Sequence, residues 1–147
     1  MTPKIIYMTN VDRRYFMMRR ALDELIADGE MPASSQVVKT EDGSVWSASW
    51  EEKLRGSALV MIRFMGNTIR TKFWTACMHF LSREGIPYYM DAAGSAEEEC
   101  IERVAAKDIE AMKAYSFYGG LTNYKNLWLY ARSLFDQGMP DAEPPSP

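Results

Sequence analysis

Two apolar runs separated by one helix-length segment constrain this chain more than any other feature. Residues 58–67 read ALVMIRFMGN, TKFWTACMHFLSREG follows, and IPYYMDAAG closes the stretch. A short continuous apolar run bounded by turn formers reads as a buried strand, and the segment between the two runs has the length and period of a helix. Strand, crossover helix and strand form a βαβ unit, which makes the strands parallel and covers both faces of their sheet. Ligands in such sheets sit beyond the carboxyl ends of the strands. Those ends carry Arg63, Gly66, Asn67, Asp91 and Gly94, a polar set at the edge of an apolar scaffold.

The rest of the chain extends this pattern. KIIYMTN (4–10) predicts a first strand. Its polar end, Thr9-Asn10-Val11-Asp12, can cap the next helix, because a short oxygen side chain accepts from orphaned amides. In RRYFMMRRALDELIADG the residues Phe16, Leu22, Leu25 and Ile26 are expected near one face, and Gly29 is a natural stop. QVVKT, set among turn formers, predicts a second strand. VWSASWEEKLRGS carries Trp46 and Trp50, and its later part reads as a short amphipathic helix.

After Asp91 the composition shifts. SAEEECIERVAAKDIEAMKAYSF is rich in Glu, Ala and Lys and predicts a helix with Ser95 as N-cap and acids in its first turn. Gly119-Gly120 break it. Thr122 or Asn123 can cap a last helix, YKNLWLYARSLFDQG, with Leu127, Tyr130, Ala131 and Leu134 as its buried stripe. GMPDAEPPSP is Pro-rich and acidic, and reads as a linker. The expected organisation is one α/β domain over 1–137 and a Pro-rich tail over 138–147, the N-terminal piece of something longer. Its fold class is a three-layer Rossmann-like or flavodoxin-like α/β sheet of about four parallel strands, with a C-terminal helical pair near 96–137 on or beside the sheet.

Composition removes several functions. A length of 147 residues suits one domain, and a net charge of −3 without a Lys/Arg cluster gives no case for nucleic acid. No apolar run approaches bilayer length. Two cysteines, Cys77 and Cys100, each on a predicted helix, suggest reduced thiols and a cytoplasmic setting. There is no P-loop and no GxGxxG after the first strand, and acids in the TNVDRR turn cradle phosphate poorly. There is no CxxC and no GxSxG elbow. His79, the only histidine, lies two residues from Cys77, so the two point about 200° apart on a helix and cannot share a metal. No catalytic or metal-ligating residue is expected in this chain.

The remaining candidates each have two readings. Arg63, inside VMIRFMG, is either a carboxylate clamp at the strand end or the partner of an acid such as Asp12 or Asp91, and the ion pair is the commoner role. Gly66-Asn67 either lets a ligand approach the backbone or simply turns a strand into a helix. FYGGLTNYKNLW (117–128) either receives an anion at the amides opening a helix or forms a helix–helix corner. Most of the eleven methionines replace Leu or Ile in apolar positions and read as core fillers.

The same segments carry a resemblance. KIIYMTN with Asp12 just after it, SALVMIRFMGN, Gly85-Ile86-Pro87 before the next strand, and FYGGLTNYKNLWLYARSLF resemble the N-terminal region of the large subunit of aerobic cobaltochelatase (the CobN type). They also resemble the related H subunit of magnesium chelatase. The resemblance implies ATP-dependent insertion of cobalt or magnesium into a tetrapyrrole, as in cobalamin biosynthesis. The partners it implies are the remainder of the large subunit, AAA+-type subunits that use ATP and Mg, and the tetrapyrrole substrate, with no cofactor on this chain and no part for nucleic acid or membrane. The positions implied for tetrapyrrole binding or an interface are Arg63, Gly66, Asn67, Asp91, Tyr118, Gly119, Gly120 and Asn123, with Asn126 a further matched position. Two other readings stand beside it: a flavodoxin- or receiver-like binding module, and a structural interaction domain.

Overall fold

Ile5–Thr9 (β1) is buried at every position and is paired on both sides, as only an interior strand can be. In the computed structural model, which describes residues 4–41, 44–63, 72–90 and 120–136, the chain continues through Asp12–Ala27 (α1), Gln36–Lys39 (β2), Ala48–Leu54 (α2), Leu59–Arg63 (β3), Lys72–Arg83 (α3) and Tyr88–Met90 (β4). Leu121–Asp136 (α4) follows. The four strands pair in parallel in the order β2-β1-β3-β4. The expected parallel, helix-covered sheet is therefore present, in a Rossmann/flavodoxin-like order.

Alternation along each strand divides the core in two. Ile5 and Tyr7 of β1 join Leu59 and Met61 of β3 on one face, under Met18, Ala21, Leu22 and Leu25 of α1 and Tyr124, Leu127, Trp128, Ala131 and Leu134 of α4. Ile6, Met8, Val60 and Ile62 face the other way, against Leu54 of α2 and Phe73, Trp74, Cys77, Phe80 and Leu81 of α3. Each large apolar side chain so buried contributes roughly 1.5–3 kcal/mol. Met8, Met18 and Met61 are fully buried core fillers, as their positions suggested.

Backbone chemistry sets the helix ends. Gly29 follows α1 at φ +76°, with its N–H bonded to Ile26 O and that of Glu30 to Leu25 O. Gly85 repeats the arrangement after α3, at φ +70° with bonds from Gly85 to Ser82 O and from Ile86 to Leu81 O. Both are Schellman stops, in which glycine takes the left-handed conformation at no steric cost.

Three local expectations need correction. Phe16 is 63% exposed. At about 100° per residue it lies nearly opposite the stripe formed by Met18, Ala21, Leu22 and Leu25. The N-cap of α1 is Val11, without a side-chain cap bond; Thr9 Oγ1 instead accepts from the Val11 N–H at 3.0 Å, one step before the helix. Helix α4 starts earlier than Thr122 or Asn123 would place it, because the Gly120 carbonyl already accepts from the N–H groups of Asn123 and Tyr124. The predicted helix over 96–118 and the Pro-rich tail lie outside the described residues.

Candidate functional site at the carboxyl edge of the sheet

The strand order defines where a site belongs. From β1 the chain crosses over one face through α1, and from β3 over the other through α3. The crevice between β1 and β3 is thus the topological switch point, and it opens at the carboxyl ends of these strands.

Register brings three side chains together there. Thr9 is the Cα partner of Lys39 on β2 and of Arg63 on β3. Alternation puts all three on the face shared with α1 and α4, because Tyr7, Val37 and Met61, two residues earlier on each strand, belong to that core. Neighbouring strands are about 4.8 Å apart, so the row is narrow. Thr9 is fully buried, with its Oγ1 accepting from Val11 and its carbonyl accepting from the Thr40 N–H at 2.9 Å. Arg63 is half-buried, with Nε inside the protein.

Helices α1 and α4 deliver their first turns to the same edge. Their contacts advance from Arg14 over the Tyr124 ring (5.7 Å), through the Trp128 indole N–H donating to Met18 O (3.0 Å), to Arg132 donating to Glu30 O. The two helices therefore run in the same direction, with both N-termini above the carboxyl edge, where helix dipoles present partial positive charge. The buried Nη1 of Arg14 has no hydrogen-bond partner, and neither has the buried Oγ1 of Thr40.

The acids at this edge are peripheral. Asp12 pairs with Lys39 at 2.5 Å and Glu41 pairs with it at 3.5 Å, and both carboxylate side chains are 72% exposed. The hydrogen bond that Lys39 donates to Asp12 raises its ammonium above its ordinary pKa, so the lysine stays charged. Among the described residues, both of these solvated acids engage Lys39.

Of the expected site residues, Arg63, Gly120 and Asn123 are described. Arg63 stands in the cationic row, while Gly120 and Asn123 open α4 at the same end. Gly66, Asn67, Asp91, Tyr118 and Gly119 lie outside the described residues. Arg14 and Lys39 were not singled out from sequence, and Thr9 was read only as a candidate helix cap. Arg14 could have been, since it lies four, seven and eleven residues before Met18, Ala21 and Leu25 and so shares their buried stripe. His79 is exposed on α3. Cys77 is a buried free thiol pushed up by burial to about 12, which leaves it inert as a nucleophile. Among the described residues no group of three or more His, Cys, Asp or Glu could hold a metal ion, and no helix is long and apolar enough to cross a membrane.

No family model matches the chain, and no curated protein matches it in sequence. In structure it is similar to the catalytic subunit of cobaltochelatase from Mycobacterium tuberculosis, with a TM-score of 0.62 and 17% identity. The match covers 92% of this chain and 10% of that one. At that identity the likeness is one of fold, a distant one to a small part of a chelatase subunit.

Proposed function

We propose that this chain is a domain of the kind found in metal-chelatase large subunits, non-catalytic by itself, helping to bind the tetrapyrrole or to dock other subunits. The single observation that carries this reading is the fold likeness to a cobaltochelatase catalytic subunit over 92% of the chain. The motif resemblance through residues 58–67 and 117–130 supports it independently of the fold comparison. On this reading the work is divided. Cobalt or magnesium is the substrate of a cytoplasmic complex, AAA+-type partner subunits consume ATP with Mg, and the rest of a large subunit encloses the macrocycle. Arg63, Gly66, Asn67, Asp91, Tyr118, Gly119, Gly120 and Asn123 are the positions proposed for the tetrapyrrole or for an interface.

A flavodoxin-like nucleotide or flavin module is less well supported. That role uses a phosphate cradle after β1, and here Thr9-Asn10-Val11-Asp12 offers an acid, and no glycine, at the start of α1.

The test is an absorbance titration of the folded chain with a metal-free corrinoid and, separately, a porphyrin. Saturable band shifts or Trp quenching at micromolar ligand, weakened in Arg63→Ala and Tyr118→Ala, are expected if the domain touches the macrocycle. No binding by either, with capture of AAA+ partner subunits, leaves the docking role. Neither binding nor capture removes the chelatase reading.

A further inference from the structure

Helix α1 carries a second strip, on the side opposite its buried one. Arg13, Phe16, Arg20, Asp23 and Ala27 are all exposed, and at about 100° per residue they fall within about 80° of one another. Their alternating steps of three and four residues are those of a seam along which two helices pack side by side. Phe16, at 63% exposure, is the large apolar side chain of this strip. We propose that a second copy of the chain docks here, with the two α1 helices antiparallel across a two-fold axis. The inference goes beyond the chelatase-type reading and does not depend on it.

The order of charge along α1 selects that occupant. Arg13, Arg19 and Arg20 are exposed in its first half, Asp23 and Glu24 lie in its second, and Asp28 follows its end. A helix dipole favours the reverse order, acids first and bases last, so folding of the single chain does not account for this one. An antiparallel copy does. With Arg20 set opposite Asp23 of the partner subunit, Phe16 falls opposite the partner's Ala27, because both pairs belong to the same register. The small alanine leaves room for the ring, and the two-fold axis repeats each contact. The groups concerned are weakly engaged within the chain. Arg20 has a 3.6 Å contact with Glu24, whose closer partner is Lys125 at 2.6 Å, and among the described residues no ion pair involves Asp23.

The surroundings of Phe16 suit a packed contact. Tyr15 meets its ring edge-on at 5.4 Å, and Arg19 is held against Tyr15 by a 2.9 Å hydrogen bond to the hydroxyl. Ordered aromatic and arginine side chains of this kind are the usual anchors of protein interfaces. An extended polyanion fits less well, because Asp23, Asp28 and Glu30 at the far end of the helix would repel it. One sixteen-residue helix from each copy buries less than the ~1,600 Å² of a standard interface, so the dimer is weak and depends on concentration.

The test is sedimentation equilibrium of the full chain, from about 10 μM to about 1 mM, a range that brackets a weak association. A monomer–dimer equilibrium is expected, weakened by about 0.5 M NaCl through screening and about tenfold or more by Phe16→Ala. Arg20→Asp and Asp23→Arg should each abolish it alone, since each sets like charges opposite one another twice. An equimolar mixture of the two variants should associate again, because every contact then joins an acid to a base. Both positions are exposed, so the variants should keep the parent's circular dichroism and thermal midpoint, and the mixture reads the contact even if one of them is less stable. A parent chain that stays monomeric throughout would overturn the proposal. So would single variants that dimerise as the parent does, or a mixture that associates no better than its components.

Discussion

The two ends of the sheet are built differently. At the amino end the polar groups meet partners within the chain. The Ile5 N–H donates to Ser35 Oγ at 3.2 Å in the interior, Ser57 Oγ donates to Leu54 O at 2.7 Å, and the Ala58 N–H donates to Lys4 O at 2.8 Å. Lys4 Nζ reaches the Lys53 and Arg55 carbonyls at 3.1 and 3.0 Å, where the last turn of α2 presents its negative dipole end. At the carboxyl end Arg14 Nη1 and Thr40 Oγ1 are buried without partners, and cations gather around Thr9. One end closes the fold. The other keeps polar capacity that folding alone does not use.

If this contrast is sound, matched deletions at the two ends should have opposite consequences. The larger effect is expected at the amino end. Ser35→Ala removes the acceptor of a buried strand N–H and leaves that donor without a partner, at a cost of about 1–3 kcal/mol. Chemical denaturation should show a lower midpoint with an unchanged slope. A midpoint equal to that of the parent chain would mean that water replaces the serine and that this end is less closed than it looks.

Much of the fold was legible in sequence because burial leaves a periodic trace. VMIR and KIIYMT could be read as interior strands since both of their faces are covered, and Gly29 marked a helix end because glycine takes the positive φ of such a stop at no steric cost. The site was less legible. Lys39 closes a four-residue edge strand, and only the register with Thr9 and Arg63 gives it meaning; register is set by tertiary pairing, which a linear pattern does not contain. Asp12 looked like a partner for Arg63, yet its ion pair is with Lys39, from the strand on the other side of β1. Phe16 misled because an aromatic residue was counted toward a helical face without its angle. The same angle would have placed Arg14 on the buried stripe.

The second prediction concerns the carboxyl end. Thr40 is 3% exposed, and its hydroxyl has no partner. Thr40→Val keeps the branched shape and removes the unpaired polar atom, so the change should be neutral or stabilise by up to about 1 kcal/mol. Thermal unfolding of this variant beside Ser35→Ala reads the contrast directly. Equal losses in both would show that the Thr40 hydroxyl is used in the folded chain and that the two ends are alike.

The smallest effects are electrostatic, and their signs differ. Glu24 on α1 is held below its ordinary pKa, chiefly by the hydrogen bond from Lys125 on α4 at 2.6 Å. Its contribution is complete above the unfolded carboxylate value near 4.5 and is lost as pH falls through the depressed folded value. Lys39 at the carboxyl edge is raised, chiefly by its hydrogen bond to Asp12, so its contribution is complete below the unfolded ammonium value of 10.5 and is lost as pH rises through the folded one. Both pairs are solvent-screened, so each change should be slight in global stability and visible mainly in local amide protection. Acid should therefore loosen the α1–α4 contact first, and alkali the β2 end of the cationic row. Protection at the β2 end that survives unchanged in alkali would show that the Lys39–Asp12 pair does not hold that end, and the charge arrangement at the carboxyl edge would have to be redrawn.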